Sequence, residues 1–171
     1  MSNEIRTITL NGNHQTLLGE EVKVNQVAPR FQVVDLNMKP FHFTGTGGKV
    51  TIISSVSSLD TSVCDVETRR FNQEAAKLGD QVDILTISMD LPFAQRRWCG
   101  AAGIDKVKVL SDYQHASFGN AFGILIKESK LLARCIFIVD KDNIVKYVQL
   151  VPEIGQEPDY PAVIEAVHTL L

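Results

Sequence analysis

The run Val50-Thr-Ile-Ile-Ser-Ser-Val56 is β-branched, follows a glycine-rich turn, and leads within a few residues into a segment of helical periodicity. Branched side chains pack well on a pleated surface, so this run reads as a buried strand. Val63, Val66, Phe71, Ala75 and Leu78 then fall within about half a helical wheel, which predicts a helix over Ser62–Leu78. Ser62 with Asp65 three residues on fits a capping-box pattern, and Gly79 supplies a stop. A buried strand that delivers straight into an amphipathic helix excludes an all-β or all-α chain.

The alternation continues downstream. Val82–Met89 reads as a strand, and Pro92 fits the first turn of a helix capped by Asp90 and running to about Gly100 or Gly103. Val107–Leu110 is a short strand and Ala116–Phe122 a short helix. Cys135–Val139 and Val145–Val151 are strands joined by the turn Asp140-Lys-Asp-Asn143, and Pro161–Leu171 closes as an amphipathic helix. Upstream, Thr7–Leu10 and Thr16–Leu18 flank Asn11-Gly12, a hairpin signal, and Phe31–Val34 is a short apolar run. The order predicts an α/β fold: a thioredoxin-like sandwich with a mixed central sheet and an N-terminal β-hairpin. No linker or repeat divides it, so residues 1–171 read as one domain.

Charge narrows the partners. The chain has 17 basic and 20 acidic side chains, a net charge of −3, which lacks the basic face a nucleic-acid binder needs. The first ten residues carry no apolar signal region, and no run approaches the roughly 20 apolar residues of a membrane helix. The expected compartment is the cytoplasm. Gly45-Thr-Gly-Gly-Lys49 superficially resembles a phosphate loop, but it lacks the spacing and precedes a strand where it should follow one. It reads as a turn. His14, His42, His115 and His168 show no metal-ligand spacing.

Three cysteines carry most of the chemical information. Cys64 falls in the first turn of the predicted Ser62–Leu78 helix, among its unpaired N–H groups, where the helix dipole favours a thiolate. Asp65 and Glu67 oppose this, so a cation brought in from elsewhere in the fold would help. A buried, inert thiol fits the position equally well. Cys99 lies 35 positions later near the end of the Pro92 helix, and no pair is spaced as C-x-x-C. With no close Cys/His cluster, a structural zinc site is not indicated. Cys135, in Arg134-Cys-Ile-Phe-Ile138, reads as a small apolar core residue.

At Ser58-Leu-Asp-Thr-Ser-Val-Cys64 the chain resembles the peroxidatic-cysteine loop of peroxiredoxins, and more closely that of the thiol peroxidase subfamily. The likeness extends through Arg69-Arg-Phe-Asn-Gln73, through Ser88-Met-Asp-Leu-Pro-Phe-Ala-Gln-Arg-Arg-Trp-Cys-Gly100, through Leu132-Ala-Arg134, and through Glu157-Pro-Asp-Tyr160. The resemblance implies a homodimer that reduces hydrogen peroxide and alkyl or lipid hydroperoxides, with thioredoxin as electron donor and no cofactor. It implies that Cys64 is the peroxidatic cysteine, Cys99 the resolving one, and Thr61 and Arg134 their active-site partners. Ser57 is a departure, because it stands where the motif has the proline that shapes the pocket and shields the cysteine.

Residue chemistry agrees with those roles. Peroxide cleavage needs a thiolate, an in-line peroxide and stabilisation of charge spreading over both oxygens. Arg134 offers several donors in a fixed plane, and the Thr61 hydroxyl lies three residues before the thiol. The Cys64 sulfenic acid would condense with Cys99, closing a loop whose entropy is worth roughly 3–4 kcal/mol. Leu59, Phe93 and Trp98 could line an alkyl pocket or simply be core. A different reading, a redox-sensing interaction protein using the same cysteine pair with little turnover, is kept open by Ser57.

Overall fold

The computed structural model describes residues 4–171. The first three residues of the N-terminal segment, discussed above as lacking a signal region, lie outside that range. The strands are β1 (Thr7–Leu10), β2 (Asn13–Leu18), β3 (Phe31–Val34), β4 (Pro40–Phe43), β5 (Val50–Ser55), β6 (Val82–Ser88), β7 (Lys108–Ser111), β8 (Leu125–Ile126), β9 (Cys135–Val139) and β10 (Val145–Leu150). The helices are α1 (Ser62–Leu78), α2 (Pro92–Ala102), α3 (Ser117–Ala121) and α4 (Tyr160–His168).

Seven strands form one mixed sheet in the order β10-β9-β5-β6-β7-β3-β4. The β5–β6 and β6–β7 pairs are parallel, as connections through α1 and α2 require, and β9 runs antiparallel to β5. The hairpin β1–β2 is present and turns at Asn11 and Gly12, whose φ values of 51° and 78° are both positive. That is the backbone an Asn-Gly hairpin turn demands. β8 adds to β2 as the third strand of a small second sheet.

Two apolar clusters cover the two faces of the main sheet. One joins Ile52, Ile84, Val109, Ile136 and Ile138 to Phe71 of α1, Cys99 of α2 and Val163 of α4. The other joins Ile53, Leu85, Ile87 and Phe137 to the hairpin and to Phe118 of α3. Period-2 alternation therefore sends Ile136 and Ile138 to the α1 face and Cys135, Phe137 and Val139 to the opposite one. Cys135 is a core residue, as expected.

Some local expectations are corrected. β4 and β8 lack a sequence signal: β4 starts with Pro40, which fits the first residue of an edge strand but weakens the strand pattern, and β8 has two residues. The buried face of α1 consists of Cys64, Glu67, Thr68 and Phe71, whereas Val66, assigned above to the apolar face, is 48% exposed. Polar Glu67 is tolerated inside because a partner meets it there.

Candidate active site around Cys64

The N-cap of α1 is Thr61, not Ser62, and no side-chain capping bond forms there. Thr61 has extended backbone, with φ −96° and ψ 146°, and its carbonyl accepts the first helical bond from Asp65 N at 3.0 Å. The amides of Ser62, Val63 and Cys64 thus lie among the helix N–H groups without an intrahelical acceptor. The Thr61 hydroxyl turns back and donates to Ser58 O at 2.8 Å, so it does not cap the helix. Cys64 itself is fully buried, with Val56, Leu59 and Phe71 in the same cluster.

Arg134 reaches this sulfur from the strand side. It immediately precedes β9, and the alternation along that strand puts it on the face of Ile136 and Ile138, towards α1. Arg134 Nη2 lies 3.3 Å from Cys64 Sγ, and the guanidinium is 1% exposed. Three of its other N–H groups are engaged as well. Nε and Nη2 donate to Ile154 O at 3.1 and 2.8 Å, and Nη1 pairs with Glu67 Oε2. The cation that the Cys64 position called for is therefore supplied, 70 residues away in sequence.

Glu67 is one of the two acids whose place in the sequence opposes a thiolate at Cys64. It is 0% exposed, lies one helical turn after Cys64, and accepts from Ser54 Oγ at 2.9 Å as well as from Arg134. Burial pushes its carboxyl above the ordinary value, and Arg134 and Ser54 pull the other way. Burial would lower the Arg134 pKa, but Glu67 and Cys64 reverse this and raise it, so the guanidinium stays charged. Sequence offered one signal for Glu67, its i+3 spacing from Cys64.

Cys99 is 7% exposed in α2 and shares the apolar cluster of Cys64; burial pushes its thiol up. All three cysteines are free thiols. Two contacts join α1 to α2: Trp98 Nε1 donates to Asp65 Oδ1 at 2.8 Å in the first turn of α1, and Arg69 Nη1 one turn further donates to Ala102 O at 3.4 Å. Cys135 opens onto the opposite face of the sheet, where burial raises its pKa strongly. The sheet thus separates it from Cys64.

A family model described as Redoxin matches residues 23–164. The chain belongs to the redoxin family. It is 53% identical over 164 residues to a protein named thiol peroxidase from Bacillus subtilis (strain 168), covering 96% of this chain and 98% of that one. A crystal structure of a peroxiredoxin-like protein from Aquifex aeolicus matches with a TM-score of 0.92 and 43% identity, over 97% of this chain and 98% of that one. A thiol peroxidase from Chromobacterium violaceum, at 17% identity, shares the fold with a TM-score of 0.84 over 95% and 96% of the two chains. The thioredoxin-like sandwich expected from the sequence is the redoxin architecture.

In this redoxin, Ser57 is buried and its hydroxyl donates to Leu132 O at 3.0 Å. Ser55 Oγ donates to Ala133 O at 2.6 Å, so two serines grip the two residues before Arg134. An open cleft of about 420 Å³ lies beside Thr61, with Leu59, Val66 and Trp98 among its walls. Phe93, grouped above with Leu59 and Trp98, is 62% exposed and lies outside it. A larger cleft, about 540 Å³ between Leu36, Phe41 and Val109, contains no thiol. Among the described residues no helix is long and apolar enough to cross a membrane.

Proposed function

We propose that this redoxin reduces hydrogen peroxide and organic hydroperoxides through Cys64, with Cys99 as the resolving thiol and thioredoxin as reductant. The observation that carries the reading is Arg134 Nη2 at 3.3 Å from Cys64 Sγ at a helix N-terminus. A dipole and a fixed cation together give a buried thiolate the positive surroundings it needs.

In the first step the Cys64 thiolate attacks the distal peroxide oxygen. An S–O bond forms, the O–O bond breaks, and hydroxide or alkoxide leaves, taking a proton to become water or alcohol. Arg134 stabilises the charge moving onto the oxygens. Thr61 donates its hydroxyl proton to Ser58 O, which leaves its oxygen lone pairs to accept from the peroxide O–H. The Cys99 thiol then attacks the sulfenic sulfur, water leaves, and a Cys64–Cys99 disulfide forms. An external dithiol takes over the disulfide by exchange and restores both thiols.

The buried positions of both sulfurs in separate helices support local opening of the α1 first turn and of α2 during resolution. The family resemblance adds a homodimer and a cytoplasmic setting to the proposal. Peroxide consumption with a thioredoxin system, followed by non-reducing peptide mapping, tests the whole sequence. Steady turnover and a Cys64–Cys99 peptide are expected; a single stoichiometric oxidation without turnover would sink the reading in favour of a sensor.

A further inference from the structure

Asp90 lies between β6 and α2, where the sequence suggests a helix cap, but the N-cap is Leu91 and no side chain caps that helix. The Asp90 carboxylate points to the Cys64 loop instead. Oδ1 accepts Ser58 Oγ at 2.7 Å, and Oδ2 accepts both Leu59 N at 2.8 Å and Ser88 Oγ at 2.7 Å. The Asp90 carbonyl accepts the Ser111 hydroxyl from β7. Asp90 is in none of the ion pairs among the described residues, and its two carboxylate oxygens serve three neutral donors.

The network continues on both sides. Ser58 O accepts the Thr61 N–H at 3.1 Å and the Thr61 hydroxyl at 2.8 Å, so the place of Ser58 sets the direction of that hydroxyl. Ser88 Oγ accepts from Gln95 Nε2 at 3.0 Å, and Gln95 lies inside α2, one turn before Cys99. One carboxylate stands between the Thr61 loop and the helix carrying the second buried thiol.

We propose that Asp90 is a positioning residue for peroxide reduction: through Ser58 it aims the Thr61 hydroxyl, and through Ser88 it ties that loop to α2. The proposal rests on the roles given above to Thr61, Cys64 and Cys99. It concerns hydrogen-bond geometry and not charge. An asparagine at this position could keep its oxygen on Leu59 N and Ser88 Oγ while its NH2 donates to Ser58 Oγ. An alanine removes all three acceptors.

Trp98, the single tryptophan, reports on the process because it bridges α2 to Asp65 beside Cys64. Single-turnover stopped-flow fluorescence with hydrogen peroxide separates a peroxide-dependent oxidation phase from a peroxide-independent closure phase. Asp90→Ala is expected to slow the oxidation phase about 10–100-fold, the scale of a displaced positioning group, without slowing closure. Asp90→Asn is expected to stay within about threefold of the parent, and Ser58→Ala, which severs the Oδ1 bond and the 3.2 Å bond from Asp60 N but leaves Oδ2 its partners, to fall between the two. Equal oxidation rates in the parent, Asp90→Ala and Ser58→Ala overturn the proposal, whatever happens to their melting temperatures. Asp90→Asn as slow as Asp90→Ala overturns it too, since charge and not geometry would then be at stake. Should Asp90→Ala not fold, Ser58→Ala against Asp90→Asn decides. A parent protein without any peroxide-dependent phase defeats the peroxidase reading itself, and the Asp90 proposal with it.

Discussion

Glu67 and Arg134 form an ion pair closed to water, with side chains 0% and 1% exposed, and the same guanidinium reaches Cys64. Removing the carboxylate leaves a buried cation without its counter-ion. Glu67→Ala is expected to cost about 3–5 kcal/mol of stability, read by urea unfolding. Glu67→Gln keeps an acceptor for Nη1 and should cost less. In both variants the guanidinium loses its ionic tether, and stopped-flow oxidation of Cys64 should slow at least about 10-fold. Unchanged oxidation rates would remove Glu67 from the site.

The cysteines separate cleanly by mutation. Cys64→Ser should abolish peroxide reduction. Cys99→Ser should consume about one equivalent and then stall or overoxidise, because the sulfenic acid has no partner thiol. Cys135→Ser should keep turnover, since Cys135 opens on the opposite face of the sheet. Mass spectrometry of peroxide-treated variants distinguishes these outcomes, and a disulfide lost in Cys135→Ser would contradict the assignment.

Ser57 holds the Leu132 carbonyl at 3.0 Å in a buried position, so Ser57→Ala leaves that acceptor unpaired. A loss of about 1–3 kcal/mol is expected from calorimetry. Ser57→Pro, which restores the proline of the peroxiredoxin motif, should fold: among the described residues the Ser57 N–H donates to no backbone or side-chain group. It should nevertheless loosen the Leu132–Ala133 segment before Arg134 and change the ratio of rates for hydrogen peroxide and a bulky hydroperoxide. An unaltered ratio would show that the serine has no part in selectivity.

Asp112 gives a pH signature away from the thiols. It is 1% exposed and accepts from Phe118 N at 3.0 Å and Gly119 N at 2.8 Å at the start of α3. Burial outweighs those bonds and pushes its carboxyl up to about 6. Between about pH 4 and that value the unfolded chain releases the proton while the folded chain keeps it. Stability contributed by this group therefore falls as pH rises through that window, by up to roughly 3 kcal/mol, and is flat on either side. Asp112→Asn removes the dependence at the expense of one acceptor for the two amides. Urea unfolding at about pH 4, 5 and 6.5 should give curves that converge as pH rises; parallel curves would rule the account out.

Local pattern made the framework legible. The Asn11-Gly12 hairpin, the β5–α1 junction, the Asp140–Asn143 turn and the motif around Cys64 all depend on neighbours in sequence. What local pattern hides is decided by distant partners. Glu67 looks like an exposed acid until Arg134 arrives from 67 residues away, and burying that pair rotates α1 so that Val66 faces water. Asp90 has the right residue type and place for a cap, yet Ser58 and Leu59, more than 30 residues earlier, take its carboxylate. Thr61 and Arg134 stand out in the sequence only as parts of a motif, which says nothing of their contacts.

Arg134 and Cys135 are consecutive residues with opposite destinations, the guanidinium at Cys64 and the thiol in the hairpin-side core. The contact between Arg134 and Cys64 is thus a matter of parity. One residue added or removed between Leu132, bridged to Leu125, and β9 would exchange the two side chains across the sheet. The length of this segment is therefore fixed, because even a two-residue shift along the strand, which restores the face, moves a side chain about 7 Å. Insertions that this chain tolerates should fall elsewhere, for example in the exposed Lys127–Lys130 turn, where an added residue need not alter the strand register.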